Sequence, residues 1–503
     1  MISKWSKRLS LLLAGLMLVG SLVACGENSD NPAGGAQGTG NGQSDTSAAT
    51  EAETDPAKAA LEALGEIDYG GKEFGILYYT GCKNEIEAVN GQVDNEGGNS
   101  QVINDAVYKR NSMLEDLCKL KLSYVDMADV AGLNSKVQIE ATAPTGDFKM
   151  VDTYIYMNAE LATGNYLFDL VDLGVDLEGP WWDSGTADFV LDGGVYFMTG
   201  SLNIEDDNRT YILLFNKEMR KAYANTVANP YETVRSREWT LDYFNEMIQG
   251  ISKENGDGKW DHLDTYGFVT THEYGTTFFI GSGMSYITGE EGEPTLTLAD
   301  AGRMEQAINV VNLSRKIYHD NHVTYMAPGW EEAKSYTAFL EDRAMFYGET
   351  CMWIDNVSAE MKSDYGVLPI PKYDKKQELY RTWTHASGSS FSVTKSVSEE
   401  EKETVGKIFE AYAILSHQYL QPAFYDVKLT KQNVVDSDSV EMMELLFSNR
   451  VYDMAFYFDF GFSNLVHDCV NNNTDTFSSG YSRAAKVFDR KLDRLLSNMR
   501  KDN

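Results

Sequence analysis

The chain has 503 residues, of which 43% are hydrophobic, and carries 76 acidic against 43 basic side chains, a formal net charge of −33. This hydrophobic content is sufficient for one large or two to three ordinary globular domains and excludes disorder throughout. So acidic a surface repels phosphate backbones and anionic lipid headgroups. We therefore expect no nucleic-acid partner, and a neutral ligand suits the chain better than an anionic one.

The N-terminal segment sets the expected compartment. Lys4, Lys7 and Arg8 precede an apolar run over residues 9–23, which is too short for a permanent membrane span and is typical of a signal peptide. The run ends in Leu22-Val23-Ala24-Cys25, which resembles a bacterial lipobox. We predict a signal peptide over residues 1–24 and lipidation of Cys25, with diacylglyceryl and palmitate as the anchor; the alternative is an ordinary cleaved signal.

Residues 25–65 are predicted to form a flexible linker after the anchor. The part from Gly26 to Thr54 is rich in Gly, Asn, Ser and Thr and contains no aromatic residue, so it cannot bury enough apolar surface to fold. About 30 such residues reach roughly 30 Å. We expect the folded part on the extracellular face of the cell membrane.

The hydrophobic pattern predicts alternating strands and helices. Residues 73–79 read as a buried strand, residues 101–119 as an amphipathic helix and residues 120–125 as a second strand, an order that implies a parallel sheet. The following elements are predicted further along the chain: strands over 148–156, 195–198 and 211–216; helices over 239–251, 301–318 and 481–500. A capping box at Ser398–Glu401 predicts another helix. The pattern is that of an α/β protein.

The cysteines and the catalytic motifs give little chemistry. Besides Cys25, the chain has Cys82, Cys118, Cys351 and Cys469, scattered and without a CxxC pair, and we expect buried thiols. There is no HExxH, GxSxG or phosphate-binding loop, so we predict no cofactor, no metal site and no enzyme activity. Counting cannot exclude a glycosidase pair among so many carboxylates.

Two short segments contain possible metal ligands. Residues 253–264 have the spacing of a calcium loop, with oxygen ligands at Asn255, Asp257, Asp261 and Asp264, but Lys253 stands where the first carboxylate belongs. We expect a turn, and calcium binding stays open. His319 and His322 lie at the end of a predicted helix, where a capping role is expected.

Aromatic residues cluster with polar ones at several places, including Trp181-Trp182-Asp183, residues 347–353 and Trp383-Thr384-His385. A sugar ring offers C–H groups on its face and hydroxyls on its rim, so a site for it needs flat rings and polar edges. A single Trp is more often part of a core. At most one of the adjacent Trp181 and Trp182 is expected to face a cleft.

Several segments carry a resemblance to a known family. They are Asp192-Gly193-Gly194-Val195-Tyr196-Phe197, Leu214-Phe215-Asn216-Lys217-Glu218, Asp264-Thr265-Tyr266-Gly267, Arg343-Ala344-Met345-Phe346 and Tyr365-Gly366-Val367-Leu368-Pro369-Ile370-Pro371. In this order they resemble the extracellular solute-binding proteins of carbohydrate ABC importers, family 1, which includes maltose-binding protein. The resemblance covers roughly residues 70–500.

The resemblance implies a two-lobed periplasmic-binding-protein-like fold of type II, hinged by crossing strands. The implied lobes are discontinuous: 66–205 plus 370–415 for the N-terminal lobe and 206–369 plus 416–503 for the C-terminal lobe. A monomer is expected, which would bind its solute, expected to be an oligosaccharide, by lobe closure and deliver it to ABC permease subunits. The implied contact residues are Tyr79, Asn84, Asp152, Tyr154, Trp182, Ser282, Glu349, Trp353 and Trp383.

Two other functions remain open at this point. One is an anchored glycan-degrading enzyme, which the many aromatic and carboxylate side chains would suit. The other is a sensor that presents its bound solute to a membrane histidine kinase. The fold also accepts peptides and polyamines, so the resemblance alone does not select a sugar.

Overall fold

The computed structural model describes residues 56–88, 101–191, 193–289, 294–328, 331–431 and 436–499. The predicted signal peptide and the predicted lipidation site Cys25 lie outside these residues. The chain divides into two compact units, residues 1–63 and residues 64–503. In the first unit, the structure describes one short helix, α1.

The second unit contains the strands and the other helices. The strands are β1 (Glu73–Tyr79), β2 (Lys121–Met127), β3 (Met150–Tyr154), β4 (Phe197–Met198), β5 (Tyr211–Asn216), β6 (Tyr266–Thr270), β7 (Ile287–Thr288), β8 (Thr295–Leu296), β9 (Thr324–Met326), β10 (Ala344–Thr350), β11 (Tyr365–Leu368), β12 (Thr382–Trp383), β13 (Ser389–Val393) and β14 (Arg450–Val451). The helices, with α1 included, are α1 (Pro56–Ala63), α2 (Lys83–Ile86), α3 (Gln101–Cys118), α4 (Val130–Thr142), α5 (Ile155–Thr163), α6 (Glu205–Asn208), α7 (Lys217–Ala222), α8 (Pro230–Arg235), α9 (Leu241–Ile248), α10 (Tyr274–Gly281), α11 (Ala301–His319), α12 (Glu332–Leu340), α13 (Trp353–Glu360), α14 (Lys402–Tyr425), α15 (Ser437–Phe447), α16 (Leu465–Asn471) and α17 (Phe477–Met499).

The first sheet has the strand order β2-β1-β3-β13-β4. Strands β1, β2 and β3 are parallel, and β13 runs antiparallel to β3 and β4. The strand, helix and strand predicted over residues 73–125 are confirmed, with β2 beginning at Lys121. The strand predicted over residues 148–156 is shorter, because Ile155 already begins helix α5.

The second sheet has the order β11-β5-β10-β6-β9. Strands β6, β9 and β10 are parallel, whereas β5 is antiparallel to β10 and β11. All residues of β5 are buried: Leu213 and Phe215 pack into one hydrophobic cluster, and Ile212 and Leu214 into another on the opposite face. A strand covered on both faces reads as a continuous apolar run, which is why the sequence predicted it over the same residues.

The chain passes between the two sheets more than once. Residues 199–210 connect β4 of the first sheet to β5 of the second, and residues 369–388 lead from β11 of the second sheet towards β13 of the first. Thr210 and Thr384 form an isolated bridge where these two connections meet. The carboxyl ends of the parallel strands of both sheets are therefore joined by crossing segments.

The helix predicted from the capping box at residues 398–401 is confirmed, but the box itself forms only in part. Helix α14 begins at Lys402, and Glu401 occupies the N-cap position without a side-chain cap. The Glu401 carboxylate instead accepts hydrogen bonds from Lys149 at 3.3 Å, from Ser398 Oγ at 3.2 Å and from the Tyr69 hydroxyl at 3.4 Å. Glu401 thus reaches back to Ser398, as a capping box requires, and also accepts hydrogen bonds from Lys149 and Tyr69 in distant parts of the chain.

The other local predictions concern thiols, loops and membrane spans. Cys82, Cys118, Cys351 and Cys469 are buried free thiols, as expected. In the calcium-like loop, the Asp264 carboxylate accepts hydrogen bonds from the backbone N–H groups of Asn255 and Asp261, both at 2.8 Å, which is the geometry of a turn. Within the described part of the chain, every helix is too short or too polar to span a bilayer.

Candidate functional site

Three tyrosines line the edge of the first sheet where its parallel strands end. Tyr79 is the last residue of β1 and Tyr154 the last of β3, and their ring centroids are 4.9 Å apart. Tyr156 stacks on Tyr154 at 5.8 Å. All three rings are half-buried. Burial raises the pKa of Tyr154 and Tyr156, so both hydroxyls stay protonated at neutral pH and can donate hydrogen bonds.

An aromatic pair occupies the corresponding edge of the second sheet. Tyr211, the first residue of β5, stacks on Trp383 of β12 with a centroid distance of 5.2 Å and an interplanar angle of 11°. His385 lies 5.3 Å from Trp383. Tyr211 and Trp383 are each only 3% exposed. Tyr211 and Trp383 are therefore packed against each other with little exposed surface, and the neighbouring His385 is more accessible.

His385 is held in its neutral form. Burial, together with the nearby Arg209 and His272, lowers its pKa to about 4. The Ser387 backbone N–H donates to His385 Nδ1 at 3.1 Å, which requires a lone pair on that nitrogen. Nε2 consequently carries the ring proton and is available as a donor.

Crossing segments bring the two edges together. The backbone N–H of His385 donates to the Arg209 carbonyl at 3.0 Å, and the backbone N–H of Tyr156 donates to the Ala386 carbonyl at 3.3 Å. Burial raises the pKa values of Tyr154 and Tyr211, and the positive charge of Arg209 partly opposes this rise for both residues. We call Tyr79, Tyr154, Tyr156, Tyr211, Trp383 and His385 the aromatic rim.

Glu349 brings a carboxylate to the same region. It lies in β10, is 6% exposed and pairs in register with Ile212, the neighbour of Tyr211. Its charge contributes to the raised pKa of Tyr211 and of Tyr274, although burial is the larger cause in both. The Thr350 N–H donates to Glu349 Oε1 at 2.8 Å, which orients the carboxylate at the end of β10.

A buried ion cluster lies behind the rim. Arg450 of β14 donates to Asp183 at 2.5 Å, to Asp206 at 3.4 Å and to Asp207. The Tyr452 hydroxyl donates to Asp183 at 2.7 Å. We call these five residues the carboxylate cluster. Asp206 and Asp207 belong to the segment that connects the sheets, so Arg450 ties this crossing to the C-terminal part of the chain.

One arginine does not neutralise three buried carboxylates. Burial and the neighbouring negative charges raise the pKa of Asp206 well above its ordinary value. For Asp207, burial outweighs the stabilising charge of Arg450 and raises the pKa to about 7. The cluster therefore takes up protons in a pH range where ordinary aspartates are ionised.

The predicted contact residue Asp152 points into the interior. It is fully buried, and burial together with the charge of Glu85 raises its pKa well above the ordinary value. Glu85 accepts hydrogen bonds from the backbone N–H groups of Ile204 at 2.5 Å and Glu205 at 2.8 Å. This carboxyl pair holds the first crossing segment against the first sheet.

Two predicted contacts are packed in the core. The Trp182 ring is 4% exposed, stacks on Phe409 of α14 at 5.8 Å, and its Nε1 donates to the Asp176 carbonyl at 2.8 Å. Ser282 is the C-cap of α10 and is 1% exposed, so it lies at the end of that helix and in the core. The start of that helix, at Glu273, lies next to the rim instead.

The remaining predicted contacts are half-buried. Asn84 lies on α2 beside Glu85. Trp353 begins α13, and its ring contacts Tyr336 at 5.0 Å. Of the nine predicted contacts, Tyr79, Tyr154, Glu349 and Trp383 belong to the rim or lie next to it.

Sequence reasoning missed Tyr156, Arg209 and Tyr211, and it named His385 only within the Trp383-Thr384-His385 cluster. A signal for Tyr211 was present, because it opens a predicted strand in a sheet where strand ends meet at a crevice. Arg209 and His385 follow no such rule, since the bond between their backbones joins two distant segments.

The fold defines the class of protein. Two mixed α/β sheets joined by crossing segments form the two-lobed fold of the periplasmic binding proteins, as the resemblance implied. The structure is similar to the GacH receptor of Streptomyces glaucescens, solved unliganded and with acarbose, at 13% identity and a TM-score of 0.52, with 84% of this chain and 99% of that chain covered.

Two further solved structures have the same fold. A family 1 extracellular solute-binding protein from Bifidobacterium longum subsp. infantis shares 15% identity and a TM-score of 0.52 over 84% of this chain and 100% of that chain. UgpB from Mycobacterium tuberculosis, in complex with glycerophosphocholine, shares 16% identity and a TM-score of 0.50 over 78% and 95%. No protein-family model matches the sequence, and no curated protein matches it.

Proposed function

We propose that the protein is a lipid-anchored extracellular solute-binding protein that captures an oligosaccharide between its two lobes and delivers it to an ABC transporter permease. The observation that carries the proposal is the aromatic rim, whose rings lie at the carboxyl ends of the parallel strands of both sheets, where backbone hydrogen bonds of the crossing segments join the two edges. Ligands of open α/β sheets bind at such crevices. The fold agrees with this role, and the solved structures with the same fold include a receptor with acarbose bound.

The chemistry of the rim suits a neutral, hydroxyl-rich solute. Tyr79, Tyr154 and Tyr156 offer half-buried ring faces, which can stack on the C–H face of a sugar. His385 in its neutral form and Arg209 provide hydrogen-bond donors near these rings, and Glu349 provides an acceptor. Two or three ring contacts with satisfied hydroxyl bonds are sufficient for micromolar affinity, about −8 kcal/mol.

The anchor, the lobes and the partners belong to the same proposal. Cys25 would carry the lipid at the extracellular face of the membrane, and the linker over 25–65 would hold a monomeric receptor near the permease. The lobes would comprise 66–205 plus 370–415 and 206–369 plus 416–503. Closure of these lobes would bury the solute and form the surface that the permease recognises.

The test is a thermal-shift and calorimetric screen of the full-length protein against oligosaccharides, with peptides and polyamines included. We expect one glycan to raise Tm without product formation, since a ligand at 100 times its Kd stabilises the folded state by about 2.7 kcal/mol. A response to a peptide or polyamine alone would overturn the solute class. Turnover of the glycan would favour the anchored enzyme instead.

The rim is tested with the variant Tyr154→Ala. We expect the affinity for the identified glycan to fall at least about tenfold, which corresponds to 1.4 kcal/mol, because the variant removes the central ring of the tyrosine stack. Tyr108→Ala is the matched control, since Tyr108 is 61% exposed on α3. Equal affinity of the two variants would contradict the proposed site.

A further inference from the structure

Three side chains with metal-binding chemistry meet next to the aromatic rim. His272 and Glu273 form the loop between β6 and α10, and His467 lies on α16. One ligand atom from each of the three side chains lies within 4.8 Å of the others. We propose that His272, Glu273 and His467 bind one divalent transition-metal ion of the zinc class.

The donor set selects the kind of ion. Two imidazoles and one carboxylate suit zinc, nickel or cobalt, whereas calcium and magnesium prefer oxygen ligands. Ligand atoms around a tetrahedral zinc ion are about 3.3 Å apart. His272 Nε2 and Glu273 Oε1 are 3.5 Å apart, so this pair is already close to the spacing that an ion requires. Small side-chain rotations would bring in His467.

A carboxylate orients the third ligand. Asp468 Oδ1 lies 3.2 Å from His467 Nδ1, and because a carboxylate can only accept, Nδ1 carries the proton. This tautomer leaves the lone pair on Nε2 for a metal ion. Carboxylates that hold a metal-binding histidine in this way are common around zinc sites and raise the basicity of the ligand.

The scaffold holds the loop and the helix close together. Asn471 of α16 donates its Nδ2 to the His272 carbonyl at 3.0 Å. Gly275 allows α10 and α16 to approach, since a Cβ there would lie 3.0 Å from Val470 Cβ. The ligand side chains are 16%, 23% and 28% exposed for His272, Glu273 and His467, so an ion can reach them from solvent.

The second cluster of metal-ligating groups among the described residues is less suited. Cys82, Glu85 and Asp152 also come together, but all three are completely buried. Glu85 already accepts two backbone hydrogen bonds, and burial raises the pKa of the Cys82 thiol well above its ordinary value. An ion would have to displace the bonds that hold the first crossing segment.

The experiment uses the full-length protein, freed of metal with a chelator and titrated with ZnCl2 by calorimetry and with CoCl2 by visible spectroscopy. We expect one ion per chain and a Co²⁺ spectrum of nitrogen and oxygen ligation. His467→Ala and the conservative Glu273→Gln should abolish this site, and Asp468→Asn should weaken binding about tenfold to 100-fold.

The matched control is His322→Ala, because His322 is an exposed histidine that stacks on Trp260 at 4.6 Å outside the cluster. It should bind metal as the original protein does. Circular dichroism verifies that each variant is folded. Absence of stoichiometric binding in the original protein, or unchanged binding in His467→Ala and Glu273→Gln, would overturn the proposal. Metal binding is measured without a solute, so it stands or fails independently of the proposed transport function.

Discussion

The aromatic rim and the carboxylate cluster occupy the same junction between the sheets but differ in burial and charge. Tyr154 and Tyr156 of the rim are half-buried, and burial raises their pKa so that they are uncharged at neutral pH, whereas Arg450, Asp206 and Asp207 are almost completely buried and ionisable. Accessible rings can be covered by a solute at little cost, whereas a buried charge must keep its partner. The rim is therefore suited to recognition, and the cluster to fixing how the crossing segment joins the C-terminal part of the chain.

The largest expected effect comes from removing the cation of the cluster. Arg450→Met would leave three carboxylates without their shared donor, and breaking a buried ion pair costs about 3–5 kcal/mol. We expect the free energy of unfolding, measured in urea at pH 8, to fall by this amount. Solute specificity should not change if the protein remains folded.

Arg235 provides the matched control for that variant. It also contacts three carboxylates, those of Glu232, Asp438 and Glu441, but it is 33% exposed. Exposed ion pairs contribute little because water screens them, so Arg235→Met should lower the stability far less. A similar loss for both variants would show that burial is not what distinguishes the two arginines.

A smaller effect is expected on the pH dependence of stability. The folded-state pKa of Asp207 is raised to about 7 from an ordinary value of 3.8, so the folded state binds more protons between these values. The contribution of Asp207 to the free energy of unfolding therefore falls as the pH rises from about 4 to about 7. Asp207→Asn removes the titration, and its stability relative to the original protein should improve between pH 5 and pH 8.

Urea midpoints for the two proteins at several pH values provide this measurement. The difference between the two proteins is required because His385 has the opposite effect: its lowered pKa makes the free energy of unfolding rise with pH between about 4 and 6.5. A pH-independent difference between the two proteins would contradict the raised pKa of Asp207.

The smallest expected effect concerns His385 of the aromatic rim and the pH dependence of glycan binding. His385 is neutral at and above pH 5.5 because its pKa is lowered to about 4. His385→Gln should therefore bind the identified glycan with the same pH profile as the original protein between pH 5.5 and 8. Calorimetry over this range is the measurement, and a steeper profile in the original protein would show that His385 titrates on binding.

The sequence predicted the elements whose burial is uniform. Strands β1 and β5 begin and end where the apolar runs do, because a strand covered on both faces must be apolar at each position. The capping box at residues 398–401 formed only in part, since Glu401 contacts Ser398 but also binds Lys149, which is far away in sequence. A local sequence pattern predicts structure reliably where neighbouring residues supply the contacts, and less reliably where distant residues compete for the same hydrogen-bonding groups.

The candidate site was predictable in part for the same reason. Tyr79 and Tyr154 stand at strand ends, a position that sequence can assign. Trp182 was a plausible platform, but whether a tryptophan faces a crevice or Phe409 depends on packing. The metal cluster was missed altogether, since His272 and His467 are brought together by the packing of α10 against α16.

The sequence by itself determined the α/β alternation, the apolar strands and the composition that favours a neutral ligand, because these depend on the hydrophobicity and charge of each segment. The tertiary structure alone decided which polar groups became buried partners and which remained at the rim. Asp152, Asp206 and Glu349 are all carboxylates, yet each faces a different set of neighbours. The environment of a charged side chain is set by contacts between segments far apart in the chain, and local sequence carries no record of them.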